Sequence, residues 1–470
     1  PSHGYADTPL PALTLDFSPG RQVSAAGRVR QVRDFGGVQF VVLDEQGAHL
    51  QVLLNAATMG RNALRQFAEQ TATGDLIRVT GRLGTSRTGT PSLLMDSWEL
   101  LAASLHPIPW RSFTDGDSRL RQRSTDLIVH PDDFTPLRHR AAILAALRAT
   151  LAADAVMEVE TPMLNTIHGG ATARPFHTFI NAYGVDLTLR IAPELYLKRL
   201  VVAGSGPIYE LGRNFRNEGA DATHNPEFTS LEAYVPGGDY TSMRHLTERL
   251  IKAAAVAVHG REVLPMPGPE QVRTGLAGVD LVDISGDWPV VSVLDAVSSA
   301  VHQPITLDTD PDVLLALARE HGITVRPQMG PGAIIEELYA ELVESATTVP
   351  TFYVDFPVET SPLTRPHRSL PGLAERWDLV IAGMELATAY TELTDPLEQR
   401  ARLTAQSLKA AAGDVEAMEI DEDFLHALEL GMPPTGGLGM GVDRLAMLLT
   451  NTAIRSVLTF PFVRPDRAAR

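Results

Sequence analysis

The 470-residue chain contains no cysteine. Disulfide bonds, thiolate metal ligands and cysteine nucleophiles are therefore excluded, and any metal site must use oxygen ligands or histidine. The sequence also lacks a run of the ~18 apolar residues that a membrane helix requires, and it has no signal-peptide pattern at its start. These absences predict a cytoplasmic protein.

Positive charge is scarce as well. The formal net charge is −17, and only three of the 40 basic residues are lysines, namely Lys198, Lys252 and Lys409. This balance argues against nonspecific nucleic-acid binding, because neutralising phosphates requires local positive charge. Residues 1–110, however, carry nine arginines against nine acidic residues. We therefore expect an acidic body that carries one neutral, arginine-bearing module.

The first 110 residues predict a small β-barrel. Short alternating runs extend from Val23 to about Leu101, and Gly, Asp and Thr clusters separate them. A helical pattern near Ala56 to Phe67 interrupts the strands. This arrangement is typical of the five-stranded oligonucleotide/oligosaccharide-binding (OB) fold.

The remainder predicts a second, larger domain. Residues 111–130 are Pro-rich and then charged, which indicates a linker. Apolar residues from Leu137 to Leu151 recur at helical spacing, so a long amphipathic helix opens a mixed α+β domain that we place at 131–470. Helical patterns at about 290–346 predict an insertion within it. Together with its 44% hydrophobic content, the length predicts a multidomain globular protein.

Several motifs then occur in a fixed order: "VMEVETPML" (156–164), "RNFRNEG" (213–219) with "HNPEF" (224–228), and "GGLGMGVDRLAMLL" (436–449). They resemble the three defining motifs of class II aminoacyl-tRNA synthetases. The intervening "GGATARPF", "RIAPELYLKRL" and "ELATAYTELTDP" and the terminal "FPFVRP" are similar to lysyl-tRNA synthetases in particular. The resemblance covers about residues 21–465. It implies an antiparallel catalytic sheet, a homodimer with the first motif at its interface, and the substrates ATP, L-lysine and tRNA(Lys).

The second motif carries the chemistry that ATP requires. Arg216 can bind the α-phosphate and the amino-acid carboxylate through its forked guanidinium, a geometry that lysine lacks. Phe228 offers a ring face to adenine, a contact of ~1–3 kcal/mol per base. By resemblance Arg444 meets the γ-phosphate, and Arg216, Glu218 and Arg444 are the catalytic residues. The remaining residues that the resemblance assigns to ATP are His224, Asn225, Glu385 and Gly441.

Mg²⁺ is the implied cation, with Asp378 and Glu385 as its ligands. The odd spacing of seven residues would by itself put the two carboxylates on opposite faces of a strand. The intervening Gly383 permits a bulge that would bring them to the same side, and the assignment of both ligands follows from the resemblance.

An acidic pocket for the amino acid distinguishes this chain from an aspartyl enzyme, which needs a cation there. By resemblance Glu392 and Tyr234 bind the side-chain ammonium, whereas Glu194 and Gly170 bind the α-ammonium. The other residues assigned to lysine are Arg216, Thr388 and Tyr390. Thr388 replaces an Asn that is common in lysyl enzymes, and Asp378 replaces a commoner Glu.

In the barrel, Arg33, Phe40, Gln51 and Glu99 resemble the anticodon-reading positions of the lysyl family. Unpaired bases are read by aromatic stacking and by hydrogen bonds to their edges. The implied target is a U-rich anticodon.

Each assignment has a structural alternative. The alternatives are a core aromatic for Phe228 or Phe40, a solvated surface pair for Arg216 and Glu218, a plain salt bridge for Asp378, and surface acids on a helix face for Glu385 and Glu392.

Three roles follow for the chain. The first is lysine activation and tRNA charging. The second is the synthetase portion of a bifunctional actinobacterial protein that supplies lysyl-tRNA for phosphatidylglycerol lysylation; the start at Pro1 motivates this hypothesis, which predicts an upstream membrane domain. The third is a non-catalytic, synthetase-like RNA-binding protein, although such a module has no need for all five of Arg216, Glu218, Glu385, Glu392 and Arg444.

Overall fold

The computed structural model describes residues 6–266, 280–326, 329–411 and 418–464. The chain divides into two compact units. One comprises the residues up to Thr135 together with the end of the chain from Val463, and the other comprises Pro136–Phe462. Among the described residues, no helix is both long and apolar enough to span a bilayer.

The first unit contains a closed five-stranded barrel in the order β1-β2-β3-β5-β4. Its strands are β1 (Gln22–Asp34), β2 (Val38–Glu45), β3 (Ala48–Asn55), β4 (Leu76–Thr85) and β5 (Pro91–Ala102). Alternate residues such as Leu50, Val52 and Leu54 are buried inside it, as the two-residue period of a strand requires. The structure confirms the predicted OB-fold.

Short helices surround the barrel: α1 (Leu10–Leu15), α2 (Ala56–Met59), α3 (Arg61–Gln70), α4 (Gly116–Arg121) and α5 (Arg123–Val129). The predicted interrupting helix is thus a pair, α2 and α3. The expected linker at 111–130 is largely helical, because Asp115 caps α4 by accepting a hydrogen bond from the Ser118 amide at 2.8 Å.

An ion-pair network stabilises this helical segment. The carboxylate of buried Asp126 accepts from Arg119 at 2.6 Å and from Arg123 at 2.7 Å. Among the described residues, the one group of three close metal-ligand types is Asp126, His130 and Asp133. Since Arg119 also pairs with Asp133 at 2.5 Å, arginine charge already compensates these carboxylates.

The second unit is built on an eight-stranded sheet in the order β14-β15-β16-β17-β18-β11-β10-β6, with two smaller sheets, β7-β9-β8 and β12-β13. Its strands are β6 (Met157–Glu158), β7 (Leu164–Asn165), β8 (His177–Ile180), β9 (Val185–Leu189), β10 (Ile208–Phe215), β11 (Glu227–Pro236), β12 (Val263–Pro265), β13 (Leu281–Asp283), β14 (Val290–Ser292), β15 (Thr351–Pro357), β16 (Leu373–Ile381), β17 (Met384–Thr391) and β18 (Thr435–Gly441). All neighbours in the large sheet are antiparallel except the β6–β10 and β14–β15 pairs. This confirms the predicted antiparallel α+β domain.

The helices that follow the barrel unit are α6 (Phe134–Ala153), α7 (Glu194–Val202), α8 (Tyr240–His259), α9 (Val293–Ala300), α10 (Pro311–Glu320), α11 (Pro331–Tyr339), α12 (Pro396–Ala411), α13 (Glu422–Glu429), α14 (Val442–Thr450) and α15 (Ile454–Val457). The predicted long helix is α6, with Ile143, Leu147 and Leu151 buried. Helices α9 to α11 and the π-helical turn Ala340–Glu344 form the expected insertion and share one apolar cluster.

The alternation of side chains across the large sheet positions the functional site. Leu231 and Ala233 of β11 and Leu438 and Met440 of β18 are buried in one core with α6, α8 and α14. Residues of opposite parity on the same strands therefore face the other side of the sheet. That side carries the cavity described next.

Candidate active site

A cavity of about 430 Å³ lies on the open side of the large sheet. It collects every residue that the sequence assigned to ATP or lysine. These are Gly170, Glu194, Arg216, Glu218, His224, Asn225, Phe228, Tyr234, Glu385, Thr388, Tyr390, Glu392, Gly441 and Arg444. Of the two predicted metal ligands, Glu385 lines the cavity and Asp378 does not.

Strand register arranges the cavity floor in rows. Glu232 and Thr388 flank Gly439, and Tyr234 and Tyr390 flank Gly437. The central strand β18 thus presents glycines between two walls of functional side chains. A Cβ atom at Gly437 would overlap the Glu392 Oε1 atom, so only glycine fits there.

The residues of the second motif that were assigned to the nucleotide cluster near the start of β11. The Arg216 guanidinium carbon lies 5.1 Å from the Phe228 ring centroid. The loop between β10 and β11 is held closed because the Arg216 amide donates to the Pro226 carbonyl at 2.9 Å. Burial lowers the pKa of Arg216, while Glu218, Glu232 and Glu385 act in the opposite direction and favour its charge. Phe228 is half-buried in the cavity wall.

Arg444 lies in the first turn of α14. It donates to the Glu385 carbonyl at 2.6 Å and lies 3.2 Å from His224 Nε2. Its neighbour Asp443 accepts from the Thr229 amide at 3.0 Å and forms an ion pair with Arg140 of α6 at 2.5 Å. Sequence reasoning missed Asp443 and Arg140, which fix the helix that carries Arg444.

Gly383 does not form a bulge within a single strand that carries both predicted metal ligands. Asp378 and Glu385 lie on two different strands, β16 and β17, which are joined by a tight turn at Ala382 (φ 51°) and Gly383 (φ 72°). The ladder irregularity falls beside this turn, where Val380 pairs with Glu385 and Leu379 pairs with Ala387. A left-handed two-residue hairpin, and not a bulged single strand, brings the two acids to neighbouring strands.

Asp378 is buried behind the cavity. Its carboxylate accepts two hydrogen bonds from Arg376, at 3.1 and 2.7 Å, and one from the Thr388 hydroxyl at 2.6 Å. Thr388 and Asp378 are the two residues that depart from the family pattern, and they are hydrogen-bonded to each other.

Glu385 is half-buried in the cavity wall. Burial and the neighbouring Asp378 raise the pKa of Glu385 to about 7, against the opposing charge of Arg444. Its amide donates to the carboxylate of Glu344 at 3.1 Å, and burial also raises the pKa of Glu344. Sequence reasoning missed Glu344, which no local motif links to a residue 41 positions away.

The residues assigned to the amines of lysine lie at the other end of the cavity floor. Glu194 begins α7, Glu232 and Tyr234 face the cavity from β11, and Glu392 follows β17 directly. The strand setting of Glu385 and Glu392 removes the helix-face alternative. Gly170 has a φ of +83°, and a Cβ there would lie 3.0 Å from the Glu194 Cβ, so glycine permits this close approach.

Two of these carboxyl groups have strongly shifted pKa values. Burial raises the pKa of Glu232 to about 8, and it raises that of Glu392 to about 8 against the opposing charge of Lys198. Glu392 Oε1 is buried without a hydrogen-bond partner among the described residues. Sequence reasoning missed Glu232, although its position two residues before Tyr234 on one strand face was a usable signal.

In the barrel, three of the four predicted anticodon readers lie together. The Arg33 guanidinium carbon is 5.7 Å from the Phe40 ring centroid, and Arg33 donates to Gln51 at 3.4 Å. Glu99 instead pairs with Arg78. Sequence reasoning missed Phe35, which is 70% exposed and contacts Phe40 edge to face with ring centroids 5.8 Å apart.

Comparison with known proteins agrees with both units. Residues 115–464 match the family model "tRNA synthetases class II (D, K and N)", and residues 23–101 match "OB-fold nucleic acid binding domain". The chain is 50% identical over 464 residues to the "Lysylphosphatidylglycerol biosynthesis bifunctional protein LysX" of Mycobacterium ulcerans, a match that covers 98% of this chain and 41% of that protein. It is 52% identical over 452 residues to the protein of the same name from Gordonia bronchialis, covering 96% of this chain and 39% of that one.

The chain thus spans about two-fifths of the length of these relatives. Its catalytic motifs, the cavity on the antiparallel sheet and the family match over residues 115–464 agree. The chain therefore belongs to the class II tRNA synthetases of the D, K and N type, with an OB-fold nucleic-acid-binding domain.

Proposed function

We propose that this protein is a lysine–tRNA ligase that activates L-lysine with ATP and transfers it to tRNA(Lys). The observation that carries the proposal is the group of buried carboxylates Glu194, Glu232 and Glu392 at one end of the cavity. A buried carboxylate is costly unless it is paired. A doubly cationic amino acid supplies the partners, whereas aspartate or asparagine does not.

The cavity is long enough for a joined amino acid and nucleotide. Phe228 and Tyr234 lie on the same strand, six residues apart, which corresponds to about 20 Å at ~3.3 Å per residue. We place adenine at Phe228 and the lysine side chain at Tyr234 and Glu392. The reacting carboxylate and α-phosphate then lie between them, close to Arg216.

Activation is an in-line attack of the lysine carboxylate oxygen on the α-phosphorus, which releases pyrophosphate. Arg216 binds the α-phosphate and the carboxylate, Arg444 binds the γ-phosphate, and Glu218, His224 and Asn225 orient the nucleotide. A terminal ribose hydroxyl of tRNA then attacks the carbonyl carbon and releases AMP. Positioning and electrostatic stabilisation supply the catalysis, so no covalent nucleophile is required.

The acidic wall of the cavity fits a divalent cation. Glu385 offers a carboxylate whose pKa is raised by burial and by the neighbouring Asp378, and oxygen ligands suit Mg²⁺. We propose that Glu385 holds Mg²⁺ with Asp378, although Arg376 already engages Asp378. Bound Mg²⁺ would neutralise charge on the phosphates.

The direct test is amino-acid-dependent exchange of labelled pyrophosphate into ATP. We expect L-lysine to support exchange, and aspartate and asparagine to give only background. Exchange with aspartate in place of lysine would overturn the amino-acid assignment. No exchange with any amino acid would favour the non-catalytic alternative.

We further propose that the chain is the synthetase portion of a longer lipid-lysylating protein. The names of these relatives, and the matched two-fifths of their length, support this second role. The test is the genomic reading frame upstream of the Pro1 codon. An open frame that encodes membrane helices supports the role, and a nearby stop codon contradicts it.

We also propose a homodimer formed through the first motif and the three-stranded sheet. Large apolar side chains of this region are between 42% and 79% exposed: Met157, Met163, Leu164, Phe179, Tyr183 and Val185. We expect a dimer by light scattering and a monomer for Phe179→Asp, with Leu397→Asp as the control because Leu397 is equally apolar and 79% exposed on α12. A dimeric Phe179→Asp variant would place the interface elsewhere.

As ATP and tRNA are cytoplasmic substrates, we place the activity in the cytoplasm.

A further inference from the structure

We propose that Lys198 is a positioning residue for amino-acid selection: its ammonium group holds Glu194 and Glu392 together and leaves one oxygen of Glu392 for the amine of the substrate. This inference rests on the proposed lysine–tRNA ligase function. It concerns a side chain that does not line the cavity and that no motif assignment included.

Lys198 lies one helical turn after Glu194 on α7 and is fully buried. Its Nζ atom is 2.5 Å from Glu194 Oε1 and 2.5 Å from Glu392 Oε2. One ammonium therefore bridges two carboxylates that come from parts of the chain nearly 200 residues apart. These two carboxylates are the ones that the family resemblance assigns to the two amines of the substrate.

The choice of lysine at this position has a steric reason. The chain uses arginine for nearly all its basic residues and contains only three lysines. Lys198 is fully buried on α7, and the same helix contributes Leu197 and Val201 to an apolar cluster that also contains Leu425. A compact ammonium fits between two carboxylates in such a space, whereas the planar guanidinium fork is larger and has fixed donor directions.

The bridge leaves a specific atom free. Lys198 forms an ion pair with Oε2 of Glu392, whereas Oε1 of the same buried carboxylate has neither an ion-pair nor a hydrogen-bond partner among the described residues. Gly437 lies against Oε1 and has no side chain to cover it. The unpartnered oxygen thus belongs to a cavity-lining residue and is available to an ammonium group of the substrate.

The net charge of the site also matches the two ammonium groups of L-lysine. Three carboxylates, those of Glu194, Glu232 and Glu392, face one resident ammonium, that of Lys198, so three minus one leaves two negative charges. L-Lysine carries two ammonium groups, and its carboxylate is assigned to Arg216. An amino acid with a neutral side chain supplies only one ammonium and leaves one buried charge unpaired, which is costly.

The test compares Lys198→Met with wild type by pyrophosphate exchange. The methionine side chain keeps the apolar stem and removes the charge. We expect the KM for lysine to rise at least 30-fold while the KM for ATP changes less than threefold. Lys252→Met is the matched control, because Lys252 lies on α8, donates to the Ser285 and Gly286 carbonyls and lies over the Trp288 ring; its KM values should equal those of wild type.

A second variant separates selection from a purely structural role. Lys198→Met combined with Glu194→Gln restores a net of two negative charges. We expect the rise in its KM for lysine to be at least fivefold smaller than the product of the rises in Lys198→Met and Glu194→Gln, because both changes act on the same bridged carboxylate. A structural ion pair would instead raise the KM for lysine and the KM for ATP alike. If Lys198→Met fails to fold, Lys198→Gln is tested in the same way, both alone and with Glu194→Gln.

The outcomes distinguish this inference from the proposed function. If wild type shows no lysine-dependent exchange, the proposed function fails. If wild type is active and the KM for lysine of Lys198→Met and of Lys198→Gln stays within twofold of the wild-type value, only the role of Lys198 is refuted.

Discussion

The barrel and the catalytic cavity both carry predicted recognition residues, but they expose them differently. In the barrel, Arg33 and Glu99 are exposed, and their partners are other surface side chains. In the cavity, Glu194, Glu232 and Glu392 are buried, and burial displaces the pKa of the latter two. A base presents its own stacking surface and can be read in water, whereas selection of a small cation requires charges that water does not screen.

This difference sets the scale of mutational effects. Surface ion pairs contribute ~0–1 kcal/mol, whereas removing one partner of a buried pair costs ~3–5 kcal/mol. The comparison therefore predicts large effects in the cavity and small effects in the barrel.

The largest effect is expected for Arg216→Ala. Loss of the fork that binds phosphate and carboxylate should reduce lysine-dependent pyrophosphate exchange on the order of 10³-fold. Arg213→Ala is the control, because Arg213 lies on the same hairpin but pairs with Glu227 at 3.2 Å at the surface. Loss of less than tenfold in Arg216→Ala would contradict the assignment.

Glu392→Gln should have the next largest effect. It removes the charge shared by Lys198 and the substrate amine, and we expect kcat/KM for lysine to fall about 30- to 1000-fold, or ~2–4 kcal/mol. The protein should also melt at a lower temperature, because Lys198 loses one of its two partners. Glu398→Gln, which alters the i,i+4 pair with Arg402 on α12, should change neither quantity measurably.

Lysine binding should strengthen with pH. Because burial raises the pKa of Glu232 and of Glu392 to about 8, both are largely protonated at pH 6.5 and must lose protons to bind an ammonium. The charged and titratable groups around them are Lys198 and Glu194 on α7, Glu210 on β10, Tyr234 on β11, Tyr390 on β17, Arg190 and Arg216. The tyrosine pKa values are raised, so both tyrosines stay neutral in this range.

Calorimetry should show an affinity for lysine that is at least about tenfold higher at pH 8 than at pH 6.5, with proton release on binding. Glu232→Gln should reduce the pH dependence. An affinity that falls between these two pH values would have the opposite sign and would refute the proton-linked site.

The smallest effect is expected in the barrel. Phe40→Ala should lower kcat/KM for tRNA charging about fivefold, the ~1 kcal/mol lower limit of base stacking, because Phe40 is half-buried and Arg33 already covers it. Pyrophosphate exchange should equal that of wild type. Phe35→Ala should show whether the more exposed ring adds a second stacking surface. If Phe40→Ala lost exchange as well, the two units would not divide recognition and activation between them.

The sequence identified the barrel and the cavity walls for a physical reason. Strand alternation is encoded locally, so the barrel strands and the opposite parities of β11 and β18 follow from neighbouring residues. The motif around Arg216 and Phe228 is contiguous, and its residues remain together when β10 and β11 pair as a hairpin. The relative position of Asp378 and Glu385 was harder to predict. A two-residue turn in the left-handed conformation separates them, so they lie on two paired strands and not on one.

The sequence by itself determined the two folds, which depend on local period, whereas the resemblance of its motifs to the synthetase family supplied the assigned cavity residues. Only the tertiary structure decided where charge is left unpaired. The Glu344 carboxylate accepts a hydrogen bond from the Glu385 amide, 41 residues away in the sequence. Arg376 forms an ion pair with Asp378, and Lys198 forms ion pairs with both Glu194 and Glu392. Charge interactions depend on distance in space and on burial, and neither quantity is encoded in the spacing of residues along the chain.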